Sequence, residues 1–566
     1  MGALYHNSRL CQAADKNVFV GAFCRFFRLG FALCYYCKRT YTNFTQKETA
    51  NIRFNFRSLF GSNSTSSNKN KTKRQRGRTC RIEQLEEREM LSVTVGDFAA
   101  IKSQYADLNL TNHADYNIIE ITANQLSSDA ALRAALAEAG TTKQDDLIVV
   151  RTTSESNVIV LNGTELAVNT YVDQWGSITI VGFGTNPLAL DANNQSRVLN
   201  VAYGTELALG GLILTKGRTA TSDTTGGGGI YNAGNLTITE STITKNTVTA
   251  NTKGGGGIFN DTYAAMTLTR SAVSDNVVDC SKWVSNDTCG GGGIYNATDA
   301  ALTITNSAIS GNTASSSYSY GGGIYNTGAG FTITNSMILG NTASSSSSYY
   351  SDSSGGGIFN IGADLTITNS TISGNSASSS SSSSYYSYGG GIYNTGADLT
   401  ITNSTISGNS ASSSYYYSYG GGIYGASNNL TVNNSIVAHN KASSDADLIR
   451  NSGAITGSNN LIGTSTGGTS LVNGVKGNIV GTSSVPIDPL FVSFTPFTTW
   501  SSELWKNWDL RLLATSPAID AGDDALATDA EGKPLCLVST SVNGLLSVSV
   551  TVTLRTKFCK NKHGSG

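Results

Sequence analysis

Asp364 and Asp398 are the acidic pair whose spacing best suits chemistry, because each stands immediately before the Leu of a recurring Leu-Thr-Ile-Thr run. If successive runs stack as parallel strands, the two carboxylates lie ~4.8 Å apart. That is close to the separation in a retaining glycosidase, and close enough to raise one pKa or share a cation. The equivalent positions hold Asn235, Ala265, Ala301, Gly330 and Asn429, small or polar residues that suit a turn. Solvated turn aspartates are the plainer reading, and Asp364 with Asp398 remains a candidate metal pair only. Uronate elimination needs a cationic base and a means of neutralising the substrate carboxylate, such as Ca²⁺ held by clustered acids. No Lys or Arg occurs between residues 283 and 440, and His113 and His439 are the only histidines outside the terminal segments. His439 fills a turn slot held by Gly in several other copies of the run. No catalytic set and no cofactor is expected. A polysaccharide lyase or glycoside hydrolase is the alternative to a non-catalytic protein.

Cysteine adds little. Cys34-Tyr35-Tyr36-Cys37 has redox or zinc spacing but lacks a second pair or a nearby His. Cys280 and Cys289 flank one loop and could close a local disulfide outside the cytosol.

The remaining candidates are aromatic. Tyr318 and Tyr320; Tyr349 and Tyr350; Tyr385, Tyr386 and Tyr388; and Tyr415, Tyr416, Tyr417 and Tyr419 lie in Ser-rich segments. A tyrosine offers a flat apolar face and a hydroxyl with little entropy to lose, which suits sugar rings or partner proteins. These eleven tyrosines are the candidate ligand-binding residues. The alternative is a flexible solvated fringe.

What positions them is a repeat. A Gly-rich run followed by Ile and an aromatic residue recurs with its Ile at Ile230, Ile258, Ile294, Ile324, Ile358, Ile392 and Ile423. Leu-Thr-Ile-Thr-like runs begin at Leu236, Met266, Leu302, Phe331, Leu365, Leu399 and Leu430, and ten residues beyond each stands Asn246, Asn276, Asn312, Asn341, Asn375, Asn409 or Asn440. The variation in length falls between that Asn and the next Gly-Ile, a gap of 12 to 18 residues. Apolar residues alternate with Thr at a period of two, which reads as short strands. A unit of this size cannot bury its apolar face alone, but stacked rungs can. The expectation is an all-β parallel β-helix, with a file of stacked aromatics, a ladder of Asn, and the variable gaps leaving as loops at one corner to gather the tyrosines in a strip. Weaker strands at 147–150, 158–161, 177–181 and 197–201 read as early rungs. Ser128 reads as the N-cap of a helix over 129–139, ended by Gly140, that plugs the amino-terminal end.

The net charge of −1 averages unlike parts: residues 1–92 hold 17 Lys and Arg against 6 Asp and Glu, the remainder 21 against 33. The expected organisation is a basic leader at 1–92, a cap with early rungs at 93–225, the seven-copy repeat at 226–440, a carboxy-terminal region at 441–534 and an atypical tail at 535–566. The basic tract 69–81 lacks a folded reader module, so nucleic acid is not an expected partner. Arg25 and Arg28 interrupt the best apolar stretch, so no transmembrane helix is expected.

Three resemblances follow from these residues. The pairing of 389–392 with 406–409, and its equivalents, resembles the repeats of chlamydial polymorphic outer-membrane proteins and related bacterial surface proteins. That resemblance implies a right-handed parallel β-helix outside the cell, often adhesive, and the tyrosines make carbohydrate or cell-surface proteins the expected partners. Only 126 residues follow Asn440, about half of what that family's translocating barrel would require, so self-secretion is not expected. Leu85-Glu86-Glu87-Arg88-Glu89-Met90-Leu91, after the basic tract, resembles the Leu-Glu-Pro-Arg-type leader of planctomycete extracellular proteins. Asp447-Leu448, Asn460-Leu461-Ile462-Gly463, Asp488-Pro489-Leu490-Phe491 and Ser516-Pro517-Ala518-Ile519-Asp520-Ala521-Gly522 are similar to the carboxy-terminal part of choice-of-anchor Q proteins, which implies surface attachment. After Pro534 that pattern gives way to two Cys and the alternation Val548, Val550, Val552 and Leu554, as expected of a truncated or frame-shifted end.

Overall fold

A computed structural model describes residues 93–526 apart from 220–224, 250–253, 281–287, 346–350, 381–383, 426–428, 466–469, 496–503 and 524–525. The basic leader, the cysteines and leader motif within it, and the tail lie outside the described residues.

The body is a parallel β-solenoid with three long sheets of twelve, ten and twelve strands. The first sheet carries the Leu-Thr-Ile-Thr runs, the second the Gly-Ile strands such as Ile230–Asn232, and the third the strands such as Thr242–Thr244 that follow the first corner. Register is kept residue on residue, with Ile258 on Ile230 and Leu302 on Met266. Four apolar side chains per rung therefore form continuous interior columns, such as Ile358, Leu365, Ile367 and Ile372, all buried in one cluster. Full burial of each such side chain stabilises the fold by about 1.5–3 kcal/mol. The expected early rungs take their places in these same sheets as Asp145–Thr152, Val158–Val160, Ile178–Gly184 and Leu199–Val201.

Corners need backbone that turns without orphaned polar groups. Between the first and third sheets the turn residue is left-handed in all seven copies: Glu240, Arg270, Asn306, Asn335, Asn369, Asn403 and Asn434, at φ 45–52°. Asn tolerates that region better than most residues. The Ser after it is buried: Ser271 Oγ donates to Thr269 O at 2.8 Å and accepts the Ser241 amide at 3.1 Å, and this bond passes from rung to rung through Ser435.

The expected Asn ladder forms the next corner. Asn375 Nδ2 donates to Asn409 Oδ1 at 2.9 Å and to Ile338 O at 2.8 Å, while its Oδ1 accepts the Asn341 amide and Nδ2. Asn440 ends the ladder on the buried carboxylate of Asp447. A second ladder, not anticipated, runs through Asn232, Asn260, Asn296, Asn326, Asn360 and Asn394 at 2.6–2.7 Å, and Gly425 stands at the position that would continue it. The aromatic file is as expected, from Tyr231 through Phe259, Tyr295, Tyr325, Phe359 and Tyr393 to Tyr424, with ring centroids 4.7–5.9 Å apart.

Helix α1 (Val95–Gln104) starts with a Thr94/Asp97 capping box and buries Phe98 and Ile101. With Tyr105 they cover Leu147, Val149 and Val181, while the alternating Ile148 and Val150 face the interior. This explains why 147–150 is apolar without interruption. Helix α2 (Ala130–Ala139) places Leu132, Ala135, Leu136 and Ala139 in the interior cluster. Its N-cap is Asp129 rather than Ser128, and the Asp129 carboxylate binds Arg133 Nε and the Asn162 amide instead of a first-turn N–H.

At the other end the chain doubles back along the outside of the third sheet. Trp505 and Trp508 pack with Leu339, Ile436 and Leu461. The turn before the Asn ladder is left-handed at Gly340, Gly374 and Gly408, and a Cβ at Gly374 would lie 2.5 Å from Trp505 Cβ. His439 takes the same slot at φ 60°, as its alignment with glycine implied, and its Nε2 pairs with Asp488 Oδ1 at 2.9 Å.

Candidate binding surface

Among the described residues the variable gaps carry strands: one directly after the ladder Asn and, from the second gap on, another before the next Gly-rich run, and these stack into two further parallel sheets, one of six strands and one of five. The outgoing sheet includes Thr313–Ser316, Thr342–Ser345, Ser376–Ser379 and Ser410–Ser413; the returning one includes Tyr318–Tyr320, Ser351–Ser354, Ser384–Tyr388 and Ser418–Tyr419. Together they form a fin on the solenoid body, which corrects the expectation of loops.

Serine is structural here. Ala314, Ala343, Ala377 and Ala411 stack in register, as do Ser316, Ser345, Ser379 and Ser413. Facing them, Ser319, Ser353 and Ser387 are fully buried. Their hydroxyls donate across the fin to carbonyl oxygens of the outgoing sheet: Ser319 to Ser344 at 2.7 Å, Ser353 to Ser378 at 2.9 Å and Ser387 to Ser412 at 2.7 Å. Only small side chains let two sheets approach closely enough for a hydroxyl on one to reach the backbone of the other. Each hydroxyl so placed contributes about 0.5–1.5 kcal/mol.

The paired serines also explain the cysteines. Cys280 follows Asp279, which pairs with Ser315, and Cys289 pairs with Ser319; the disulfide thus occupies the place that Ser316 and Ser319 fill one rung later with hydroxyls 3.2 Å apart. Cys280 and Cys289 are bonded to each other, so the option left open by the sequence is realised.

The candidate tyrosines separate into two groups. Tyr320 stacks on Phe359 with centroids 4.6 Å apart, and Tyr388 lies 4.7 Å from Tyr424. These rings form a layer against the aromatic file, and burial pushes both phenols above their ordinary pKa. Tyr393, in the file, is pushed up to about 12 by the same cause. Tyr318 is half-buried beside Tyr320. At the last rungs, Tyr386 lies 5.6 Å from Tyr416, and Tyr419 lies 5.8 Å from Tyr388 and 6.2 Å from Tyr417. Tyr415, Tyr416 and Tyr417 at the turn are 66%, 44% and 62% exposed. Tyr349, Tyr350 and the side chain of Tyr385 lie outside the described residues.

Asp364 and Asp398 do stack on neighbouring rungs, but as caps. Asp364 Oδ1 accepts the Asp398 amide at 2.9 Å, and Asp398 Oδ1 accepts the Asn429 amide at 3.0 Å. Each carboxylate thus serves the next turn. Among the described residues no group of three or more His, Cys, Asp or Glu is placed to hold a metal ion, and no helix is long and apolar enough to cross a membrane.

The signals that would have revealed the fin are Thr313-Ala314-Ser315-Ser316 and its three successors, each immediately after the ladder Asn and each alternating in size. Compared with protein-family models and with curated proteins, the chain matches none.

Proposed function

We propose that this chain is a non-catalytic extracellular or cell-surface β-helix protein, structural or adhesive, that uses the fin to hold tyrosines toward carbohydrate or cell-surface proteins. The observation that carries the reading is the fin itself: a serine-packed pair of sheets whose last turn exposes Tyr415, Tyr416 and Tyr417. A mobile fringe would lose entropy on binding, whereas a rigid edge has already lost it. The Cys280–Cys289 disulfide agrees with an oxidising compartment. The resemblances to polymorphic outer-membrane repeats, to a planctomycete-type leader and to choice-of-anchor proteins support a right-handed winding, export and surface attachment. In this reading α2 closes the amino-terminal end.

The acidic pair that a lyase or hydrolase could draw on is Asp364 and Asp398, both exposed and each accepting the amide of the next turn. Release of reducing or unsaturated sugars by the purified chain, lost in Asp364→Ala with Asp398→Ala, would establish the enzyme instead.

The test is binding of the full chain to bacterial cells and isolated cell walls, compared with the Tyr415→Ser, Tyr416→Ser, Tyr417→Ser variant. Loss of binding in the variant is expected. Undiminished binding would remove the fin from the account, and recovery of the native protein only from the cytosolic fraction would contradict the location.

A further inference from the structure

We infer that the tyrosine cluster at the last fin rungs is a site for a neutral polysaccharide, laid along the stacking direction of the rungs; this rests on the adhesive reading above and names its ligand class. The fin edge is almost free of charge. Segments 313–320, 342–354, 376–388 and 410–419 contain one charged residue, Asp352. Asp352 is turned to structural use, accepting the Tyr386 amide at 3.1 Å. Recognition of sulfate, phosphate or uronate relies on Arg and Lys, and the nearest cation in sequence is Lys441, whose backbone pairs with Ser410 at the base of the fin. Within these segments a polyanion meets no cation and one acid.

The shape of the edge also suits a chain of sugars. Half-buried Tyr386 and exposed Tyr416 are cross-rung neighbours with centroids 5.6 Å apart and planes tilted by 40°. The rung repeat of ~4.8 Å is close to the length of one pyranose unit in an extended β-linked chain, so successive sugars meet successive rungs. Exposed tyrosine faces stack on the apolar faces of sugar rings, while Ser412 and Ser414, both exposed, present hydroxyls beside them. The surface thus offers stacking and neutral hydrogen bonding, the two interactions an uncharged glycan can return.

Titration calorimetry of the full chain with cellohexaose, laminarihexaose and mannohexaose, beside hexagalacturonate and a heparin hexasaccharide, tests this at low and high salt. At least one neutral hexasaccharide binds, with affinity insensitive to salt. Tyr415→Ser with Tyr417→Ser weakens it about tenfold, whereas Tyr415→Phe with Tyr417→Phe retains it. Tighter, tyrosine-dependent binding of an anionic hexasaccharide overturns the neutral assignment and leaves the adhesive reading. If no hexasaccharide binds but cell binding still depends on these tyrosines, the glycan inference falls and a protein partner takes its place. If cell binding is indifferent to them as well, both fall.

Discussion

The solenoid body and the fin grow from the same rungs and are held together by opposite means. In the body, large apolar columns supply the stability and Asn or Ser ladders satisfy the corners. In the fin the columns open on Val248 and Val278 and continue as Ala and Ser, and from there hydroxyl-to-carbonyl bonds take the place of hydrophobic volume. The lesson is that a repeat can carry an ordered extension with almost no apolar residues, provided each rung hands its hydrogen bonds to the next. The fin inherits its register from the body, so the ordering cost of its first residues is already met.

The largest expected effect is at the seam between the two regions. Asn375→Leu deletes four side-chain hydrogen bonds and leaves the buried Asn341 amide without its acceptor, while Asn409 Oδ1 keeps only the Asn375 backbone amide. It should destabilise the chain by about 3–5 kcal/mol and disorder body and fin together in denaturant unfolding followed by near-UV dichroism. Equal protection of the fin in this variant would break the dependence of fin on body. Next is the disulfide. Closing its short loop contributes about 2–3 kcal/mol by chain entropy, yet Cys280→Ser with Cys289→Ser should lose less than that, because Ser316 and Ser319 show the hydroxyl pair that replaces it. Thermal unfolding of the double variant against the disulfide-bonded wild type measures this loss, and the reduced wild type gives the loss without the hydroxyl pair.

A third change confines itself to the early body. Asp146 is pushed up to about 6, first by burial and then by Asp145 and Glu138, against hydrogen bonds from Asn117 and Thr142. A carboxyl raised above its unfolded value of about 3.9 binds its proton more tightly in the folded state. Its contribution is therefore best at low pH and declines as pH rises from about 4 to about 6. Asp146→Asn should remove that slope and stabilise the protein at neutral pH by about 1–2 kcal/mol, less than the full shift implies because solvent screens its neighbours. Melting of wild type and variant at pH values on either side of this window checks the sign; an unchanged difference between them contradicts it. The smallest effect belongs to the fin alone. Ser387→Ala removes the bond to Ser412 O and one hydroxyl contact with Ser379, worth about 1 kcal/mol, and should raise amide exchange in the fin without altering that of Leu365–Thr368.

The body was legible in the sequence because its signal is apolar and periodic. Ile367, Ile372 and Asn375 declare themselves by type and by fixed distance. The fin was not, because Ser and Ala carry no hydrophobic alternation and Ser-rich tracts resemble linkers. Its information lies in size and position: Ala377 and Ser379 alternate inward after a ladder Asn, and that pattern matters only once the rung above is in place. The second Asn ladder was hidden for another reason. Asn394 stands beside a more conspicuous aromatic residue, and its hydrogen bond to the neighbouring rung exists only after stacking. Sequence could not divide the tyrosines that pack on the aromatic file, Tyr320 and Tyr388, from those left exposed, because the division depends on which strand face each occupies.

Hydrogen–deuterium exchange of the full chain addresses the ordered fin most directly. Amides of Ser376–Ser379 and Ser410–Ser413 should exchange at least about a thousandfold more slowly than an unstructured serine tract, approaching those of Leu365–Thr368. Exchange of these amides at unstructured-chain rates, with the body still protected, would contradict the account and return the tyrosines to a solvated fringe.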